Sequence, residues 1–283
     1  MSDQPLFAVE DLGVTFPARA RGAAPVTALS GVDLTWDEGE VLGLVGASGS
    51  GKSTLGRILT GLQRPSQGTV RFRGRPLDGT PDRAFRRSVQ MIFQDPYQSL
   101  NPRRTVGAQV LEGLEIQGIG TPGEDRTARA VAAMERCGLA PAERYWHRYP
   151  HELSGGQRQR VVIAAAVALG PEALICDEPV SALDVSVRSQ VLGLLDALRG
   201  QEGIGLLFIT HDVGLAWALC DRVAVLHQGR VVEYGDTADV LGAPRHPYTR
   251  ELLAAVPKPP APRPVPASAA SGGLPDPPSG QDT

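Results

Sequence analysis

The residues best suited to chemistry lie in one glycine-rich stretch. Residues 46–53 read GASGSGKS, which matches the pattern G-x-x-x-x-G-K-[ST]. In such a turn, backbone N–H groups surround phosphate oxygens, the lysine reaches the β- and γ-phosphates, and the serine hydroxyl ligates Mg²⁺. A chance match is a poor explanation, because Lys52 and Lys258 are the only lysines in the sequence. The residues that we assign to phosphate and nucleotide binding here are Gly46, Ser48, Gly49, Ser50, Gly51, Lys52, Ser53 and Thr54.

A pair of adjacent carboxylates, Asp177 and Glu178, follows the apolar run ALIC. Carboxylates are costly at the end of a buried strand unless they have partners. Adjacent side chains of a strand point in opposite directions, so the two should differ in role. Asp177 suits the Mg²⁺ shell and Glu178 suits the polarisation of an attacking water. The alternative is a solvated acidic turn.

Two further polar residues end apolar runs. His211 follows LLFIT, and Gln94 ends VQMIFQ. The carboxyl ends of parallel strands meet at one edge of a sheet, so both should face the same crevice as the acidic pair. His211 could contact a γ-phosphate, although a histidine at a strand end is more often structural. Gln94 stands where a helical stretch begins, so a nucleotide contact there could move that stretch.

The stretch HELSGGQRQR at 151–160 contains a second candidate anion site. Ser154 and Gln157 form the capping-box pattern S-x-x-Q before a long apolar helix. The cap does not require Gly155 and Gly156, and a helix start with bare N–H groups binds anions. One α/β core with a phosphate loop has no evident need for a second such site.

Short β-branched runs alternate with helical stretches along the chain. Three strands are almost wholly apolar, as in a sheet buried on both faces, which predicts an α/β core with a mostly parallel sheet. The predicted strands are Leu6–Val9, Val41–Val45, Val89–Phe93, Ala173–Cys176, Leu206–Thr210, Val223–Leu226 and Val231–Glu233. The predicted helices are Ser53–Thr60, Val106–Ile116, Arg126–Cys137, Gly156–Leu169, Val187–Leu198 and Val213–Leu219. No strand pattern is evident between Gln94 and Leu153, which predicts an inserted helical subdomain.

Composition narrows the class of protein. The net charge of −3 provides no global basic field for nucleic acid. The three cysteines are well separated in apolar runs, which favours a reducing compartment. No uncharged run approaches the roughly 18 residues that span a bilayer.

These motifs, in this order, resemble the ATP-binding subunit of ABC transporters: GASGSGKS, Gln94, LSGGQ, LICDEPVSALD and His211. The resemblance implies a phosphate-loop (RecA-like) core with an inserted helical subdomain and N-terminal antiparallel β elements. It implies ATP and Mg²⁺ as cofactors, with Ser53, Gln94 and Asp177 around the metal. It also implies Glu178 as the catalytic base, His211 on the γ-phosphate, and Gln94 as the catalytic residue that links the metal and the attacking water to the helical subdomain.

The same resemblance implies that two such subunits pair head to tail. Ser154, Gly155, Gly156 and Gln157 would then serve the nucleotide held by the partner's phosphate loop, and Asp184 would lie at the dimer interface. The family also stacks adenine on an aromatic residue upstream of the phosphate loop. Phe16 is the candidate, with a strand-end core aromatic as the alternative.

The stretches MIFQDPYQSLNPRRTV and HPYTRELLAAVP resemble the dipeptide/oligopeptide and nickel importer ATPases. That resemblance implies a Mg-dependent ATPase that drives solute uptake through separate membrane permeases. An extracytoplasmic solute-binding protein would act indirectly, and the subunit would sit peripherally on the cytoplasmic face of the cell membrane. We expect di- or oligopeptides as solute. Nickel or another small solute is the alternative, and a soluble ABC ATPase acting on nucleic acid or ribosomes is the distant one.

We assign residues 1–256 to one nucleotide-binding domain. Its core covers about 1–94 and 160–240, the helical subdomain about 95–159, and a C-terminal helix about 247–255. Residues 257–283 are rich in proline, serine, glycine and alanine, which predicts a disordered tail.

Overall fold

A computed structural model describes residues 4–17 and 24–255 of this chain. The predicted tail over 257–283 lies outside these residues. Within them, the strands are β1 (Phe7–Phe16), β2 (Val26–Trp36), β3 (Val41–Val45), β4 (Gln67–Phe72), β5 (Arg75–Pro76), β6 (Val89–Ile92), β7 (Ala173–Asp177), β8 (Gly205–Thr210), β9 (Arg222–His227) and β10 (Arg230–Asp236).

The helices of the described residues fall into long and short ones. The longer are α1 (Lys52–Leu59), α4 (Val106–Gln117), α5 (Glu124–Arg136), α7 (Gly155–Val167), α8 (Val185–Glu202) and α11 (Pro247–Ala254). The shorter are α2 (Arg83–Ser88), α3 (Pro96–Ser99), α6 (Glu143–Trp146), a 3-10 turn (Pro150–Glu152), α9 (Val213–Leu219) and α10 (Thr237–Gly242). Among them, none is long and apolar enough to cross a membrane.

The central sheet has the strand order β10-β9-β3-β8-β7-β6. Every neighbouring pair is parallel except β9 with β10, which is antiparallel. The parallel strands β3, β7 and β8 are buried along their whole lengths. The carboxyl ends of β3, β6, β7 and β8 therefore meet at one edge, as the apolar runs predicted.

Alternate residues of the central strands enter two separate hydrophobic clusters. In β3, Leu42 and Leu44 pack with α1 and the N-terminal strands, whereas Val41 and Val45 pack with the helices of the opposite face. The period of two places successive side chains on opposite faces of the sheet. Both faces are therefore covered, which explains why these strands read as continuous apolar runs.

A second, antiparallel sheet has the order β2-β1-β4-β5. The strand predicted over Leu6–Val9 extends to Phe16. Strands β2 and β4 were not predicted, because their sequences show no clear strand pattern. The β1–β2 register shifts several times between Val9 and Thr15, and Asp11 has a φ of 45°. These bulges interrupt the alternation from which strands are recognised.

Five helices and a 3-10 turn lie between β6 and β7 in the described residues. This is the segment where no strand pattern was evident. One of these helices, α7, runs without a break from Gly155 to Val167, so the boundary placed near residue 159 falls inside a helix. The interior of α4 and α5 shares one hydrophobic cluster with the central sheet.

Candidate functional site

The phosphate loop connects β3 to α1. Gly49 and Gly51 have φ values of 78° and 110°, a conformation that only glycine adopts without strain. A Cβ on Gly51 would lie 2.6 Å from the carbonyl oxygen of Ala28. Backbone conformation and close approach to β2 therefore both require glycine at this position, and α1 begins directly after it.

Lys52 is held inside this loop. Its side chain is buried, and Nζ donates to the carbonyl oxygens of Gly46, at 2.8 Å, and Ala47, at 2.9 Å. Burial lowers the pKa of the Lys52 ammonium, while the charges of Glu178 and Asp177 act in the opposite direction. A partly desolvated cation beside bare N–H groups is a strong electrostatic site for phosphate oxygens.

Ser53 and Asp177 form an oxygen-rich pair at the carboxyl end of β7. The Ser53 hydroxyl donates to Asp177 Oδ1 at 3.2 Å. Burial raises the pKa of Asp177, and the hydrogen bond from Ser53 opposes that rise. A hydroxyl and a carboxylate are ligands that Mg²⁺ prefers, and the buried carboxylate gains from a cation, so this donor set fits the metal.

Glu178 lies in a different environment from its neighbour Asp177. Its Oε2 accepts from Gln94 Nε2 at 2.9 Å, and its Oε1 lies 2.9 Å from His211 Nδ1. The residue has a φ of 48°, and its N–H donates to the carbonyl of Ile209 at 2.9 Å. Strain of this kind clusters at functional sites, where the surrounding structure enforces it.

One cavity of about 580 Å³ joins these groups, which is a volume suited to a small ligand. Its walls carry residues that follow the carboxyl ends of β6, β7 and β8, one residue of β2, and the phosphate loop. They are Ala28, Ser48, Gly49, Gly51, Lys52, Ser53, Thr54, Gln94, Glu178 and His211. Asp177 reaches the edge of this region through Ser53.

The stretch Ser154–Gln157 does not line that cavity. Its capping box is present, because Ser154 Oγ accepts from Gln157 N at 3.3 Å and Gln157 Oε1 accepts from Ser154 N at 3.0 Å. A Cβ on Gly156 would lie 2.3 Å from Val187 Cγ1 on α8. Close helix packing therefore accounts for Gly156, which the cap alone did not.

Two other predicted residues lie away from the cavity. Asp184 is exposed and caps α8, with Oδ1 accepting from Val187 N at 3.0 Å. Phe16 ends β1 opposite Val26, and the residue is 40% exposed. Neither lines the cavity. The roles assigned to both remain predictions.

Sequence reasoning missed a contact to the phosphate loop from the C-terminal region. The hydroxyl of Tyr248 accepts the N–H of Ala47 at 2.8 Å. Tyr248 belongs to the stretch HPYTRELL, whose residues carry the family resemblance but no local sign of this contact. The contact joins residues 201 positions apart, so no local pattern could reveal it.

Comparison with known proteins gives consistent matches. A family profile described as ABC transporter matches residues 29–181, and one for the oligopeptide/dipeptide transporter C-terminal region matches 232–278. A peptide import ATP-binding protein of Brucella ovis is 46% identical over 92% of this chain and 81% of its own length. The glutathione import ATP-binding protein GsiA of Escherichia coli is 48% identical over 90% of this chain. The chain spans only 41% of the length of GsiA.

Two solved structures of ATP-binding cassettes and transporter components are similar to this chain. The dimeric ATP-binding cassette MJ0796 bound to ADP and Pi superposes with a TM-score of 0.72 at 30% identity, covering 82% of this chain and 98% of that one. CbiO1 of Clostridium perfringens, part of the transporter complex cbiONQ, superposes with a TM-score of 0.73 at 30% identity, covering 85% of this chain and 92% of that one.

Proposed function

Because this chain belongs to the ABC transporter ATP-binding family, we propose that it is the ATP-hydrolysing subunit of an importer for di- or oligopeptides. The observation that carries the catalytic part is the Glu178 carboxylate, which lies between Gln94 and His211 on the wall of the phosphate-loop cavity. No other pairing of groups around that cavity offers a carboxylate oriented from both sides within the described residues.

Lys52 and the phosphate-loop N–H groups bind the phosphates of ATP in this proposal. Ser53 Oγ and Asp177 Oδ1, with Gln94, are the groups that would hold Mg²⁺. When bound, the metal neutralises charge on the phosphate oxygens. The hydrogen bond between Ser53 Oγ and Asp177 Oδ1 supports this assignment, because oxygens 3.2 Å apart can be ligands of one cation.

Glu178 is the proposed general base. Its carboxylate orients the attacking water and accepts the proton that the water loses. The water oxygen bonds to the γ-phosphorus while the bond from that phosphorus to the β,γ-bridging oxygen breaks, which releases ADP and inorganic phosphate. Gln94 Nε2 and His211 Nδ1 hold the two carboxylate oxygens, so the base has little rotational freedom. His211 also contacts the γ-phosphate, and its exposed side chain is available for that contact.

The residues of the LSGGQ stretch, which we call the signature, act on another subunit. Ser154 and Gly156 contact the γ-phosphate bound by the partner, with Gly155, Gln157 and Asp184 at the same interface. Their absence from the cavity wall, the exposure of Ser154, and the dimeric MJ0796 cassette support this pairing. The partner is a second copy of this chain or a paralogous ATPase.

Closure of that pair drives permeases in the membrane, and the helical subdomain transmits the motion. The subunit sits peripherally on the cytoplasmic face, and an extracytoplasmic binding protein delivers the solute. Peptide import is supported by the match of residues 232–278 to the oligopeptide/dipeptide region and by the Brucella ovis relative. The GsiA relative adds glutathione as a peptide to be tested.

The proposal is tested on the native complex. The chain is tagged, co-purified with its permeases, and reconstituted in vesicles together with the binding protein. We expect dipeptides or oligopeptides to stimulate phosphate release, and a complex carrying Glu178→Gln to show no stimulation. Stimulation by nickel but by no peptide would replace the proposed solute, and purification without any membrane protein would overturn the transport function.

A further inference from the structure

The phosphate loop is braced from outside by the turn that joins β9 to β10. Gly229 N donates to the carbonyl oxygen of Ser50 at 2.9 Å, and Gly229 O accepts from Ser30 N at 2.8 Å. A Cβ on Gly46 would lie 2.2 Å from the carbonyl oxygen of Leu226. The backbone of the phosphate loop is therefore in direct contact with the end of β9 and with the turn after it. A small displacement of this turn would move the phosphate loop.

Tyr248 extends the same brace from the C-terminal region. Its ring packs on His227, the last residue of β9, with a centroid distance of 3.8 Å. Its hydroxyl accepts the N–H of Ala47 at 2.8 Å. The carbonyl of Gly46, which belongs to the same peptide unit as the Ala47 N–H, accepts from Lys52 Nζ at 2.8 Å. One peptide unit thus connects Tyr248 to the lysine that binds phosphate.

The residues before Tyr248 hold it in place. Glu233 on β10 accepts the N–H groups of Arg245 and His246 through one carboxylate oxygen. His246 Nδ1 then caps α11 by accepting from Tyr248 N at 3.2 Å. Pro247 occupies the first helical position, where its fixed φ favours helix initiation. His246 and Pro247 therefore both help to position the hydroxyl of Tyr248.

We propose that Tyr248 is a positioning residue for ATP: its hydroxyl anchors the Gly46–Ala47 peptide unit and so sets the affinity of the phosphate loop for nucleotide. The C-terminal segment is then part of the nucleotide site. The proposal goes beyond the assignment of the transported solute, and it rests on the phosphate loop being the ATP site. We expect Tyr248 to affect the binding of ATP and not its hydrolysis, because its hydroxyl contacts the phosphate loop and neither Glu178 nor His211.

The test compares single hydroxyl deletions in the full-length chain. Tyr248→Phe keeps the ring on His227 and removes the contact to Ala47. We expect the Kd for MgATP, measured by calorimetry, and the KM for ATP to rise roughly three- to tenfold, which is the effect of one net hydrogen bond. The turnover number should stay within about twofold of the parental value. The Tm of the nucleotide-free protein should change little, because the hydrogen bond between Ala47 and Tyr248 is exposed.

Tyr234→Phe is the matched control. The Tyr234 hydroxyl bonds to Arg222 and to the Thr35 carbonyl, away from the phosphate loop. We expect this variant to lower the Tm while leaving the Kd for MgATP unchanged. An equal rise in Kd in both variants would show a general stability effect and overturn the proposal, as would a parental Kd in Tyr248→Phe or a fall in turnover at unchanged KM.

Lys52→Ala tests the phosphate-loop assignment separately from the role of Tyr248. Loss of MgATP binding in Lys52→Ala together with a parental Kd in Tyr248→Phe would reject the role of Tyr248 alone. Retained binding in Lys52→Ala would reject the phosphate-loop assignment itself, and the role of Tyr248 with it.

Discussion

His211 Nδ1 and Glu178 Oε1 lie 2.9 Å apart, at the ends of two adjacent parallel strands. The Glu178 side chain is 18% exposed, whereas that of His211 is 62% exposed. The carboxylate is therefore sheltered, and the imidazole that orients it faces solvent. A group held in this way can change partners when a nucleotide or a second subunit covers the site.

Glu178→Gln should abolish turnover while leaving ATP binding intact. The amide retains the shape of the side chain and one acceptor oxygen, but it cannot take a proton from water. We expect phosphate release to fall at least about a hundredfold, and an ATP-bound dimer to persist in size-exclusion chromatography. Glu143→Gln, on an exposed residue of α6, is the control. Hydrolysis at the parental rate in Glu178→Gln would show that another group is the base.

Ser154→Arg should stop hydrolysis without weakening ATP binding to the monomer. In the proposed head-to-tail pair, the arginine would block the face that covers the partner's nucleotide, and Ser154 does not line the cavity of its own phosphate loop. Weakened binding to the isolated monomer would mean that the signature acts within its own chain.

Mixing inactive variants tests the head-to-tail arrangement directly. Where the chain pairs with itself, Ser154→Arg and Lys52→Ala together form one intact composite site per mixed dimer. Random pairing makes about half of the dimers mixed, and one of the two sites in each mixed dimer is intact. The mixture should therefore recover roughly a quarter of the parental rate, although each variant alone is inactive. Absence of recovery in a preparation that dimerises would contradict this arrangement.

Gly156→Ala should destabilise the start of α7. The added Cβ would lie 2.3 Å from Val187 Cγ1, so the two helices must separate, at a cost of about 1–3 kcal/mol in the free energy of unfolding. Val187→Ala in the same chain should recover much of the loss, as measured by chemical denaturation. Gly155→Ala is the matched control, because its Cβ would make an ordinary contact of 3.4 Å with Leu183 Cδ2. Equal effects at both glycines would reject this packing account.

Glu40 should make the stability of the fold depend on pH. Burial raises its pKa from the ordinary 4.5, against a backbone hydrogen bond from Asp37 and the charge of Arg222. The folded state then holds the proton more tightly than the unfolded state, so stability falls as the pH rises from about 4.5 through the raised value. Glu40→Gln should remove this fall, and its Tm relative to the parent should be higher at pH 7 than at pH 4. The same Tm difference at both values would contradict the assignment.

The candidate site residues follow from local signals, and the structure brings the phosphate loop, Gln94, Glu178 and His211 around one cavity. The phosphate loop depends on glycines at positive φ, and the Ser154–Gln157 cap depends on two side chains three residues apart. Buried strands read as apolar runs, which placed Asp177 and His211 at strand ends. The antiparallel strand β2 was missed because its half-exposed residues and the bulges opposite it carry no clear period.

The sequence by itself determined which residues are the candidates for phosphate, metal and water, because those residue types at that spacing serve few other purposes. Tertiary structure decided the contacts between distant segments. It placed Gln94 and His211 on the two oxygens of Glu178, gave Gly156 its packing partner in Val187, and brought Tyr248 to Ala47. The reason is physical: a local pattern fixes the backbone of its own segment, whereas sheet order and helix packing determine which segments touch.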